Sequence, residues 1–185
     1  MIRKLLLRTN FIFILLISLL IIIFQSTFLN LLFKGFRPDL ILIVIVYLSF
    51  HRYLVEGALL SLIIGWFVES LSGAPHGMIM TVYLWIFLIA KMVGIAVFLT
   101  RTVGTLLVVF LMSLLQNLLV WGITYLFFPA NISFEAVAGE WIPTVVLQLI
   151  ITPLVFGLFS SLDKLFGKES PSKITVVLGA PILAR

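Results

Sequence analysis

Arg37-Pro-Asp-Leu-Ile-Leu-Ile-Val-Ile-Val-Tyr-Leu-Ser-Phe-His-Arg52 is an aliphatic run with charged residues at both ends. A second run follows directly: Tyr53-Leu-Val-Glu-Gly-Ala-Leu-Leu-Ser-Leu-Ile-Ile-Gly-Trp-Phe-Val-Glu-Ser-Leu-Ser-Gly-Ala-Pro-His-Gly77. The two meet at the basic corner His51-Arg52 and read as two successive helices. In the second run Gly57, Ser61, Gly65, Glu69 and Gly73 recur at every fourth position. On a helix such residues form one slowly drifting row. Small residues at this spacing let a second helix approach closely, which is how helices associate in lipid, where burial of apolar surface gives no driving force. The row therefore reads as a packing face within the bundle, as a docking face for a partner's helix, or as the wall of a ligand cavity.

The rest of the chain has the composition this stretch requires. Of 185 residues, 63% are hydrophobic and only 10% charged, with a mean hydropathy of +1.31. Soluble domains carry about 45–50% apolar and about 25% charged residues, so the class is an all-α integral membrane protein. Spans need about 20 apolar residues. The predicted spans are 11–33, 39–50, 54–71, 78–99, 103–128 and 141–162, which is a single polytopic domain of about six transmembrane helices with a tail over 163–185. The N-terminus superficially resembles a signal peptide, but its apolar run is too long and has no small-residue cleavage site after a short core. It reads as an uncleaved first span. The 12-residue second run is short for a span; read as re-entrant, it would leave five.

Charge decides between these topologies. Arg3, Lys4, Arg8, Arg52, Arg101, Lys164, Lys168, Lys173 and Arg185 fall on one side of a six-span chain, and only Lys34 and Arg37 on the other. Basic residues mark the cytoplasmic side, which predicts six spans with both termini cytoplasmic. The net charge of +5 is topogenic in this reading, and no nucleic acid partner is expected beside the lipid bilayer.

Candidate functional groups are few. There are no cysteines and only two histidines, His51 and His76, so no thiolate site or His cluster is available. The sequence offers no Ser/His/Asp set, paired carboxylates or glycine-rich phosphate loop. No enzyme, metal or cofactor is predicted. Glu56 lies four residues after Arg52, where the two can pair along a helix. Glu69 lies one turn before the Ser-Gly-Ala-Pro-His-Gly turn, either reaching interfacial water or serving as a functional intramembrane acid. Lys91 can extend its ammonium to the interface or pair with an acid inside the bundle. Gln116, Asn117 and Gln148 read as interhelical hydrogen-bonding groups. Pro153 after Thr152 predicts a kink.

The stretch Arg37-Pro38-Asp39-Leu with its aliphatic run, then Glu56-Gly57-Ala-Leu, Gly65, Glu69 and Ser72-Gly73-x-x-x-Gly77, resembles the rod shape-determining MreD family. The match covers about Arg37 to Gly77, and Glu69 stands where the family's pattern commonly has aspartate. The resemblance implies a non-enzymatic subunit of the cell-elongation complex in the bacterial inner membrane, with a fold similar to the substrate-binding subunits of energy-coupling-factor transporters. It implies direct binding to MreC, and through it connection to MreB filaments, the RodA polymerase and its penicillin-binding transpeptidase. The expected docking surface is the row from Gly57 to Gly73. The alternative is a small-molecule-binding subunit of a vitamin-type transporter, which needs Glu69, Lys91, Gln116, Asn117 and Gln148 to face a single pocket.

Overall fold

The computed structural model describes residues 2–29, 38–96, 102–127 and 134–165. Among these, all regular structure is helical: α1 (Ile2–Phe24), continued by a π-helical turn (Gln25–Leu29), α2 (Leu40–His51), α3 (Leu54–Ser72), α4 (Met78–Ala96), α5 (Thr102–Phe127) and α6 (Phe134–Leu165). Leu54–Ser72, Val103–Phe127 and Trp141–Asp163 are long and apolar enough to cross a membrane, while Phe11–Thr27, Leu40–His51 and Met78–Gly94 are shorter apolar stretches. The chain is a helical membrane protein.

The organising element is α2. Its Ile/Val-rich sequence would suit a strand in water, but in lipid the helix satisfies its backbone groups within its own segment. Every residue from Leu40 to Ser49 is buried. Helices α1, α3, α4, α5 and α6 all pack against α2, and in that order they also pack side by side around it. An aliphatic run with no polar stripe is thus a helix with no outer face.

Its length creates a problem that the rest of the bundle solves. Twelve residues at about 1.5 Å each give about 18 Å, against a hydrocarbon core of about 30 Å. A helix of this length is too short to reach both headgroup regions. The unpaired N–H and C=O groups of its ends then need protein partners.

Two boundaries differ from the sequence reading. The apolar stretch of the sixth helix, Trp141–Asp163, starts where the sequence placed the span, but the helix itself extends beyond it at both ends, from Phe134 through Pro143 and Pro153 to Leu165. Asp163, expected to open the tail, is therefore helical and only 7% exposed. The reason lies across the bundle, where Arg52 supplies the partner that makes its burial affordable. The first helix passes into its π turn at Gln25; residues 30–37 and the tail from 166 onward lie outside the described residues, as do Arg101 and the loop over 128–133.

Candidate functional site

Asp39 starts α2 and joins four helices. With Pro38 before it, it adopts an extended backbone (φ −84°, ψ 94°), as an N-cap requires. Its Oδ1 accepts from the N–H groups of Ile41 (3.0 Å) and Leu42 (3.3 Å). Gln25, in the π turn, accepts from the N–H of Leu40 at 3.0 Å. The first turn of α2 is thereby capped from two sides. Asp39 Oδ2 accepts from the Tyr83 hydroxyl of α4 and from Gln116 Nε2 of α5, both at 2.5 Å. Gln148 of α6 donates to the Asp39 carbonyl at 3.2 Å and accepts from the Ser113 hydroxyl. Four donors fill the acceptor capacity of a carboxylate.

A second joint closes the other end of α2. Arg52 is 1% exposed, and its N–H donates to the Leu48 carbonyl at 2.9 Å. Its guanidinium contacts the Asp163 carboxylate of α6, which also accepts from the Tyr47 hydroxyl at 2.5 Å. Lys91 of α4 donates to the Arg52 carbonyl at 2.5 Å. The Lys91 charge therefore sits at the C-terminal end of α2, where the helix dipole favours a cation. Glu56, the partner expected for Arg52, lies 3.9 Å from its Nη1 and is half-buried. Arg52 is claimed more closely by Asp163, because a buried guanidinium needs a carboxylate at hydrogen-bonding distance. His51 stacks on Tyr47 at 4.0 Å, and its Nδ1 donates to the Tyr47 carbonyl at 3.0 Å.

Glu69 makes a third joint, between α3 and α4. It is 3% exposed, so the expectation that it reaches interfacial water gives way to a capping role. Its oxygens accept from the N–H groups of Gly77 (2.5 Å), Ile79 (3.1 Å) and Met80 (3.4 Å) at the start of α4. The intervening turn needs left-handed backbone at Gly73 (φ 67°) and Gly77 (φ 88°), which glycine supplies at no steric cost. Ser72 donates to the Glu69 carbonyl at 3.3 Å, and His76, almost fully exposed, places Nδ1 3.6 Å from Glu69 Oε1. The acid, the Ser-Gly and the second Gly of the sequence motif are thus parts of one turn. Glu69→Gln puts an amide donor against N–H donors, so it is expected to cost about 1–3 kcal/mol. Unfolding of the full chain in bicelles by detergent titration checks this; an unchanged midpoint would show that Glu69 is not the cap.

The row on α3 faces α4. Gly57, Ser61, Gly65 and Glu69 are buried, and the Ser61 hydroxyl donates to the Gly57 carbonyl at 2.8 Å. A Cβ at Gly57 would strike the Phe87 ring, and one at Gly65 would lie 2.8 Å from the Met80 Cα. Gly73 lies beyond the row, in the turn. This face is filled by the chain's own helix, so the expected docking of a partner helix on it gives way to internal packing.

Four of the five groups a ligand pocket would need are dispersed. Gln116 and Gln148 bridge helices at Asp39, Lys91 is at the Arg52 joint, and Glu69 is at the turn. Lys91 bonds a backbone carbonyl rather than an acid or the interface. Tyr83, Ser113 and Asp163 were not singled out from sequence, and Tyr47 only as the end of the aliphatic run in the family resemblance. Only Asp163 carried a signal, as an acid four positions after Phe159 on a face that is apolar at 155 and 159. Among the described residues no three His, Cys, Asp or Glu side chains group as metal ligands. No known protein family, curated protein or solved structure matches this chain.

Proposed function

We propose that the chain is a non-enzymatic scaffold subunit of the bacterial cell-elongation complex, of the MreD type, with six spans in the inner membrane and both termini cytoplasmic. In this reading it binds MreC and helps direct side-wall peptidoglycan synthesis and rod shape, in concert with MreB filaments, RodA and its penicillin-binding transpeptidase. The observation that carries the proposal is how the motif residues are used. Asp39, Gly57, Gly65, Glu69, Gly73 and Gly77 each serve a helix start, a close helix approach or a turn. Such a motif specifies a shape, and a shape can act by being recognised. Six spans are supported by the charge asymmetry. The partner meets a face other than the Gly57–Gly65 row.

The transporter reading draws on one observation, the meeting of Gln116 and Gln148 at Asp39. Gln116 is bonded to the Asp39 carboxylate and Gln148 to the Asp39 carbonyl and the Ser113 hydroxyl, and Glu69 and Lys91 are elsewhere, so the reading is the weaker. Affinity purification of the tagged chain from its native membrane in mild detergent, followed by mass spectrometry, separates the two. MreC is expected in the eluate. Recovery of an ATPase pair with its transmembrane coupling subunit would instead make the chain a transporter component.

A further inference from the structure

Three helices enter both polar joints at the ends of α2. Helix α2 brings Asp39 to one joint and Tyr47 and Arg52 to the other. Helix α4 brings Tyr83 to the first and Lys91 to the second; α6 brings Gln148 and Asp163. Between the joints α2 presents Leu, Ile and Val from Leu40 to Val46, all at most 6% exposed. Directed bonds hold the rod at its ends, and close-packed aliphatic contacts hold it between. Interiors packed to this degree transmit strain.

We propose that α2, α4 and α6 form a strut pinned at two levels, which carries a change at the Asp39 joint to the Arg52 joint about 18 Å away. The two ends of the bundle are then energetically coupled, whichever proteins the bundle meets. Sites this far apart without such a connection ordinarily act independently. Resting on the scaffold reading proposed above, the strut gives the bundle a way to pass a contact on one membrane face to the other.

Hydrogen exchange of the full chain in lipid nanodiscs tests this. Tyr83→Phe deletes one hydroxyl donor to Asp39 and keeps the ring. It is expected to accelerate exchange over residues 48–57, where Arg52 N–H bonds the Leu48 carbonyl and Gly57 N–H the Tyr53 carbonyl. Coupling between sites typically amounts to about fivefold or more, and linkage makes it reciprocal. Tyr47→Phe, at the other joint, should therefore accelerate exchange over 38–42 to a similar degree. Residues 103–110 of α5 serve as the control and should change little. The proposal is overturned if each substitution affects only its own end, or if all segments including 103–110 accelerate alike, which is global loosening. Because the effect is reciprocal, either variant decides the matter if the other is not recovered folded.

Discussion

Asp163→Ala is expected to lower the stability of the bundle by about 3–5 kcal/mol, the range for breaking a buried ion pair by removing one partner. The substitution takes from Arg52, itself 1% exposed, the carboxylate in contact with its guanidinium. It also deprives the Tyr47 hydroxyl of its acceptor. Glu56 is 3.9 Å away and half-buried, too distant to replace a hydrogen-bonded carboxylate. Hydrogen bonds between membrane helices are often worth only about 0.6 kcal/mol, because the unfolded chain in lipid also finds partners. Charge lifts this joint above that figure, because a buried guanidinium that loses its carboxylate costs more than a lost neutral hydrogen bond. Replacing the whole set by apolar residues, Arg52→Met with Asp163→Leu and Tyr47→Phe, should recover most of the loss, since buried pairs contribute little net stability over well-packed apolar substitutes. Detergent-titrated unfolding in bicelles measures both. An Asp163→Ala variant as stable as the parent would mean that the ion pair is not formed in the membrane.

The parts of this structure legible in the sequence are those written in neighbouring residues. Pro38-Asp39 before an aliphatic run is a helix start, and α2 begins at Leu40. The row from Gly57 to Gly65 announces a close helix approach, and α4 makes it. Glu69 was visible as an oddity, yet its role depends on a turn that brings the N–H of Gly77 back within 2.5 Å. Periodicity along α3 cannot show that closure. The joints at the ends of α2 were hidden because their members are dispersed over the chain. Tyr47 and Asp163 are 116 residues apart, and Asp39 and Gln148 are 109 apart. Asp163 was misplaced for a physical reason: an acid followed by lysine at the end of an apolar run ordinarily marks the water boundary. Here a buried arginine on another helix holds it inside.

The short length of α2 explains why polar groups gather where they do. A helix that crossed the whole hydrocarbon core would place its unpaired backbone groups in the headgroup region, where water satisfies them. At about 18 Å α2 does not reach that far at both ends. Asp39 and Gln25 answer for the N–H groups at its start, and Lys91 answers for the Arg52 carbonyl at its close. The anion lies at the positive end of the helix dipole and the cation at the negative end, which is the favourable sense for both.

Gly65→Leu should disrupt the bundle more than any other single change on α3. A Cβ at this position would lie 2.8 Å from the Met80 Cα and 3.4 Å from its N. Both atoms belong to the backbone of α4, so no rotamer change relieves the contact and the helices must separate. Met80 N–H is one of the three groups capped by Glu69, so separation also strains that joint. Overpacking a core ordinarily costs about 1–3 kcal/mol. Gly65→Ala is expected within that range, and Gly65→Leu above it. Gly57→Ala provides the contrast, because its obstacle is the far edge of the Phe87 side chain rather than backbone. The expected order of unfolding midpoints is therefore parent, Gly57→Ala, Gly65→Ala and lastly Gly65→Leu. All four chains should still insert, since the substitutions leave hydrophobicity intact. If Gly65→Leu unfolds at the parent's midpoint but no longer retains its partner on purification, the α3 row is free to dock another protein, and the packing of α4 against it is not the membrane state.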